Sequence, residues 1–277
     1  MQNWGETIAL AILQGLTEFL PVSSSGHLEG WKRISDSELR GDITLDVLLH
    51  FATLLAVLIV YRGEVKRLLG GLFRSGSARR DLGLVFVGTI PAGLVGLFAH
   101  DAIESFSLSV PVLLPICWGA CGLALLSSKG ALQRPEEGEP AGDSFAAAGI
   151  SLRGAIWIGA WQAVALLPGV SRSGITIVAA LWFGVRREAA ARFSFLIAAP
   201  LIAGASILEL PEIFSGEGGV QLSASLLVGF VTAFLVGWGA LILLLRLLQG
   251  GRLYLWGFYL LALAAFFSIR LALGSGS

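Results

Sequence analysis

The sequence predicts an all-α, polytopic membrane protein built as an inverted-topology repeat, with six transmembrane helices and two re-entrant helical hairpins. Three observations predict it. The chain is 55% hydrophobic and 14% charged, with a mean hydropathy of +0.80, which is too apolar for a soluble domain and leaves uncharged runs of bilayer-spanning length. Two apolar segments are interrupted by nearly identical polar stretches, Val22-Ser23-Ser24-Ser25-Gly26 and Val170-Ser171-Arg172-Ser173-Gly174. Lysine and arginine are unevenly placed within a formal net charge of zero, and their placement fixes orientation.

Taken in order, segment 4 to 30 is long enough to cross but is broken at Pro21. Apolar runs of spanning length follow at about 44 to 61, 82 to 99 and 110 to 127. A linker, 128 to 153, contains the Pro, Gly and Glu-rich stretch Lys129 to Asp143, which reads as solvated. Segment 154 to 183 is again broken, at Pro168-Gly169, and runs at about 193 to 209, 223 to 245 and 254 to 273 complete six crossings. The loop Arg62 to Asp81 holds Arg62, Lys66, Arg67, Arg74, Arg79 and Arg80 and is expected in the cytoplasm, whereas 100 to 109 and 210 to 221 carry no lysine or arginine and are expected outside. The linker and the pair Arg186 and Arg187 also read as cytoplasmic. Segment 154 to 183 lies between them, so it enters from the cytoplasm and returns. Its counterpart 4 to 30 then enters from outside.

The two broken segments align without a gap, since Gln14 falls on Gln162 and Pro21 sits within one position of Pro168. Residues 1–127 and 154–273 therefore read as two copies in a single transmembrane domain spanning 1–277, each one hairpin plus three crossings. An odd number of crossings inverts the second copy, so that broken helices from opposite leaflets meet near the midplane and line a polar site. A weaker echo relates Gly88 and Gly96 to Gly229 and Gly237, although small residues at such spacings also simply let helices approach. Cys117 and Cys121, one turn apart in an apolar run, are expected to be packing residues. Trp4, Trp31 and Trp256 fall near expected membrane boundaries. No cleavable signal peptide is expected, because the first apolar run lacks a basic leader and continues into Glu18 and Pro21.

Unpaired backbone and hydroxyl groups at membrane depth require protein, water or a ligand to satisfy them, so both serine-glycine turns are expected to face an internal cavity. The first copy carries Glu18 and His27 and the second Arg172, which suggests one composite site. The run Gln14-Gly-Leu-Thr-Glu18-Phe-Leu-Pro-Val-Ser-Ser-Ser-Gly-His27 and the run Leu167-Pro-Gly-Val-Ser-Arg-Ser-Gly-Ile-Thr176 resemble the two signature motifs of the bacterial undecaprenyl-diphosphate phosphatase family, also called bacitracin-resistance proteins. The resemblance extends over essentially the whole chain, including Asp46 to Leu58 and Phe193 to Pro200. It implies a multi-pass bacterial inner-membrane enzyme that removes the terminal phosphate of undecaprenyl diphosphate and regenerates the carrier for cell-wall synthesis. The family's first motif begins with Glu or Gln, and this chain takes Gln at Gln14.

A diphosphate at membrane depth needs fixed cations, backbone donors or a metal, because an uncompensated charge there costs at least roughly 2.5–3.5 kcal/mol. Arg172 offers a planar fork of donors suited to phosphate oxygens. Ser171, Ser173, Gly174 and Thr176 are expected to complete an anion nest at the start of a half-helix, with Ser23, Ser25 and Gly26 as substrate-binding residues of the first turn. Glu18 lies four residues after Gln14 and shares its helix face. A carboxylate beside a diphosphate calls for an intervening cation, so Mg2+, or another divalent ion such as Ca2+, is expected on Glu18 and the Gln14 carbonyl together with substrate oxygens. Ser24 is expected to attack the terminal phosphorus with His27 as base and then acid, or His27 attacks directly while Ser24 orients the phosphate. His50 reads as a cavity-lining or packing residue and His100 as a helix-end residue. The expected partners are a polyprenyl diphosphate and the membrane, with a homodimer left open and no nucleic acid. The site is expected to open to the outer face. A rival reading is a transporter that flips the lipid phosphate without cleaving it, since inverted repeats with broken helices also build transporters. The Ser24, His27 and Glu18 cluster speaks for the enzyme, and a passive scaffold leaves the polar turns unexplained.

Overall fold

The computed structural model describes residues 4–34, 43–73, 76–133, 144–215 and 223–274, and every regular element among them is helical. The expected crossings become α3 (Ile43–Val60), α5 (Ser77–Ser109), α6 (Leu113–Ser127), α10 (Arg187–Ser215), α11 (Ala224–Gln249) and α12 (Trp256–Ala272). Among the described residues, five helical stretches are long and apolar enough to cross a bilayer, and there are up to six if Thr44–Val60 and Arg62–Gly70, bent by 78° at their junction, count as one span. Large apolar side chains such as Phe86, Phe98, Leu227 and Phe258 point outward, as they do when lipid is the solvent. The protein is a polytopic, all-α membrane protein.

The two interrupted segments form helix pairs, α1 (Trp4–Phe19) with α2 (Ser24–Ile34) and α8 (Leu152–Val164) with α9 (Arg172–Trp182). Each is restarted by the first serine of its Ser-x-Ser-Gly motif. The Ser23 hydroxyl accepts from the Gly26 N–H at 3.2 Å, and the Ser171 hydroxyl accepts from the Gly174 N–H at 3.1 Å, so both second helices begin on the same type of N-cap. The longer first helices pack on crossings from the other half of the chain, α1 along α11 and α8 along α5. Glycine permits both contacts. A Cβ on Gly15 would lie 2.9 Å from the Ala233 carbonyl oxygen, and one on Gly159 would collide with the Gly88 carbonyl, so Gly88 serves close approach as its spacing allows. α6 packs on α12, and α3 packs on both α10 and α11.

Three expectations change. The basic stretch Arg62 to Asp81 is not a plain loop, because Arg62–Gly70 forms α4, with Glu64 and Arg67 paired one turn apart at 2.6 Å, and α5 begins at Ser77. α5 outruns the expected 82 to 99 at both ends, so His100 lies inside a helix rather than at its end. Pro91 sits within α5, where the Thr89 hydroxyl lies 2.9 Å from the Val85 carbonyl and 3.1 Å from Ile197 O on α10. The linker holds more regular and buried structure than expected. Lys129–Gln133 forms a short helix, α7, while residues 144–150 turn inward and bury Phe145 and Ile150. Their anchor is Asp81, fully buried, which accepts from the Phe145 N–H at 3.1 Å, the Ala146 N–H at 3.4 Å, the Ser144 hydroxyl at 3.3 Å and the Arg67 guanidinium at 2.9 Å. Residues 134–143 and 216–222, and with them half of the expected external stretch 210 to 221, lie outside the described residues. Cys117 and Cys121 are free and buried, as packing residues.

Candidate active site

The two breaks touch each other. A Cβ on Gly26 would lie 2.9 Å from Gly169 Cα, and one on Gly174 would lie 3.0 Å from Pro21 Cβ, so the glycine of each serine motif faces the break of the other segment. The Ser173 hydroxyl reaches across to the Leu20 carbonyl at 3.4 Å. Both turns must therefore be low-profile, and a side chain at either glycine would separate them. The starts of α2 and α9 thus converge on one place, where their unpaired N–H groups and positive dipole ends favour an anion.

Glu18, at the last turn of α1, is the hub. Its Oε1 accepts from Arg172 Nη2, which bridges residues 154 positions apart in sequence. Its Oε2 accepts from the Ser24 hydroxyl at 2.7 Å and from Gln14 Nε2 at 3.1 Å. A buried carboxylate is tolerated in an apolar setting only with such charge-assisted partners. Three polar atoms around this hub are buried without a hydrogen-bond partner: Gln14 Oε1, Arg172 Nη1 and Trp118 Nε1. Gln14 Oε1 and Arg172 Nη1 belong to side chains that contact Glu18 and are left to pair with a further polar group.

His27, on the same turn of α2 as Ser24, is held differently from expectation. The Ser24 hydroxyl is given to Glu18 rather than to the imidazole, whose Nδ1 lies 2.8 Å from the Ser23 carbonyl and whose Nε2 lies 2.7 Å from the Tyr259 hydroxyl of α12. Ser23 adopts φ of +71°, the only positive value for a non-glycine among the described residues, and its carbonyl lies against both the N–H and the ring of His27, an i to i−4 contact of the kind His50 makes with Asp46. His50 of α3 comes in from the opposite side of Glu18, with Nε2 4.0 Å from Oε2 and Nδ1 2.8 Å from the Asp46 carbonyl. It also lines a cavity of about 320 Å3, together with Ser25, Asp46, Pro168, His100 and Glu104, as its cavity-lining reading requires.

Of the residues singled out by sequence, Gln14, Glu18, Ser24 and Arg172 are in direct contact, and Ser25 is exposed on the cavity. Ser23 and Ser171 cap helices. Thr176 is drawn away from the nest, since its hydroxyl lies 2.7 Å from the Arg172 carbonyl and 2.5 Å from Ser194 of α10 and so secures the backbone that carries Arg172. Tyr259 and Trp118 lie in apolar runs without any motif, and only the fold brings them here, whereas Ser194 falls in the stretch Phe193 to Pro200 but is not singled out by sequence.

Fold and site together define a polytopic membrane protein with an internal, charge-paired site made by two broken helices. The chain belongs to the family described as bacitracin resistance protein BacA, whose model matches residues 7–266. It is 38% identical to an undecaprenyl-diphosphatase of Rubrobacter xylanophilus over 277 residues, covering 97% of this chain and 98% of that protein. It is 39% identical to an undecaprenyl-diphosphatase of Desulfosudis oleivorans over 271 residues, covering 91% and 93%, and 38% identical to undecaprenyl-diphosphatase 4 of Bacillus thuringiensis subsp. konkukian over 274 residues, covering 96% and 98%.

Proposed function

We propose that the protein hydrolyses undecaprenyl diphosphate to undecaprenyl phosphate and inorganic phosphate in the bacterial inner membrane, in a site shared by two inverted repeats, 1–127 and 154–273. One observation carries the chemistry: Glu18 accepts the Ser24 hydroxyl on one oxygen while Arg172 holds the other. Glu18 is placed to take the Ser24 proton as Ser24 Oγ bonds to the terminal phosphorus and the phosphoanhydride P–O bond breaks, releasing the lipid monophosphate. Water then attacks the phosphoserine phosphorus as the Ser24 Oγ–P bond breaks; Glu18 returns its proton to Ser24 Oγ, and the oxygen of the water leaves in inorganic phosphate while its protons pass to that phosphate or to solvent. Arg172 Nη1 is the spare donor for the charge that develops on the phosphoryl oxygens, and the N–H groups at the starts of α2 and α9 supplement it. Ser24 is preferred to His27 as nucleophile because Nε2 of His27 is already engaged by Tyr259.

Gln14 Oε1, buried and unpartnered beside Glu18, is the observation that favours a hard divalent cation such as Mg2+ or Ca2+. Among the described residues no group of three or more His, Cys, Asp or Glu could hold a metal, so Gln14 and Glu18 would supply part of the shell and the diphosphate and water the remainder. Such an ion, when bound, offsets negative charge between the carboxylate and the diphosphate. The cavity supports an outward-facing site, since its lining includes His100 and Glu104 near one end of α5 while Arg79 and Arg80 lie at the other. Both contributors to the Glu18–Arg172 contact come from one chain, so a homodimer is not needed to complete it. Transport without cleavage gives the Ser24–Glu18 contact no task.

Purified protein in detergent with undecaprenyl or farnesyl diphosphate provides the test. Phosphate release is expected, with a fall of about 100-fold or more in Arg172→Ala, retention in the distal Ser109→Ala, and loss on chelation that added Mg2+ or Ca2+ restores. No release from the wild-type protein under any metal condition overturns the hydrolase reading, and release indifferent to chelator overturns the metal.

A further inference from the structure

We propose that Tyr259 is a positioning residue for His27, fixing its imidazole in the Nδ1–H tautomer with Nε2 directed at α12. Four observations carry this. The Ser23 carbonyl, 2.8 Å from Nδ1, can only accept, so Nδ1 bears the proton and the neutral ring keeps its lone pair on Nε2. The Tyr259 hydroxyl lies 2.7 Å from that nitrogen and donates to it. The two rings are stacked, 5.8 Å between centroids and only 7° from parallel. Trp118, fully buried on α6, presents a ring at 68° on another side of the imidazole, 5.8 Å away. Three elements thus hold one histidine: its own strained turn, α6 and α12.

A tyrosine that only fills space needs no hydroxyl against a ring nitrogen. Tyr259 lies 232 positions from His27 and is 42% exposed on its helix, so burial does not explain its hydroxyl's placement. The consequence for a site that handles phosphate is specific. His27 shares a turn of α2 with Ser24, so in the hydrolase reading it orients a phosphoryl oxygen or a water beside Ser24 through Nε2, and the Tyr259 hydroxyl keeps that nitrogen and its ring in place to share the contact. Tyr259→Phe keeps the ring and its stacking while deleting the hydrogen bond.

The functional part of this inference rests on the hydrolase reading, and the test separates the two. The chain has three histidines, so the full-length protein labelled with ring-15N histidine in detergent micelles gives few signals, and His27→Gln identifies those of His27. The wild-type protein should show His27 as the Nδ1–H tautomer with a hydrogen-bonded Nε2. In Tyr259→Phe, the Nε2 resonance should move toward that of a bare lone pair while the His50 and His100 signals stay in place. On the same sample, kcat for farnesyl diphosphate should fall about 10- to 100-fold with KM within about twofold, and Tyr254→Phe should behave as wild type. Unchanged His27 resonances in Tyr259→Phe overturn the contact, and shifted resonances with wild-type kcat overturn its role. Absence of phosphate release from the wild-type protein itself refutes the hydrolase reading, and with it the role, while the resonances still decide the contact.

Discussion

Asp81 shows how much one buried carboxylate can organise. It ties the 144–150 turns to α5 through two backbone N–H groups and a hydroxyl, and it is neutralised by Arg67. Removing it strands those N–H groups in a protein interior and leaves Arg67 with Glu64 alone, and Asp81→Ala should destabilise the protein by about 3 kcal/mol, read as a lower thermal midpoint in detergent. A midpoint unchanged from wild type contradicts this. At the same scale, the sequence makes the main site residues visible because polar groups are costly inside lipid. Glu18, Ser24 and Arg172 stand out against apolar surroundings, and the structure joins them. Which nitrogen of His27 faces which partner is invisible, because it depends on a tyrosine from the last helix, 232 positions away.

At the scale of elements, close helix contacts rest on glycine. Gly159 of α8 lies against the Gly88 carbonyl of α5, whereas Gly93, on the same helix as Gly88, has open space where a Cβ would go. Gly159→Ala should therefore push α8 from α5 and destabilise by about 1–3 kcal/mol, whereas Gly93→Ala should be neutral or slightly stabilising. Equal midpoints for the two variants contradict the packing described. Both broken segments and the spanning runs are legible because length and apolar content decide whether a helix can span, and a proline beside a serine-glycine turn marks each break, whereas Pro91 lies within the continuous α5. Helix ends are less legible. α4 hides in a charged stretch whose helicity comes from the Glu64–Arg67 pair and from docking on α5, and charge counting alone reads that stretch as a loop.

For the whole molecule, the repeated Ser-x-Ser-Gly motif made convergence of two turns readable in advance, whereas the reciprocal contacts of Gly26 with Gly169 and Gly174 with Pro21 needed coordinates. Orientation makes a separate prediction. A membrane-impermeant thiol reagent should label Ser24→Cys from the outer side, in a background where Cys117 and Cys121 are buried, and labelling solely from the cytoplasmic side contradicts an outward-facing site. The most direct test of one site shared by both breaks is a double-mutant cycle on phosphate release with Glu18→Gln and Arg172→Lys. If the two residues work as a unit, each single change lowers kcat/KM by about 100-fold or more and the double variant is little worse than the poorer single one. Losses that simply multiply, in variants that remain folded, show two groups acting independently and contradict a shared site.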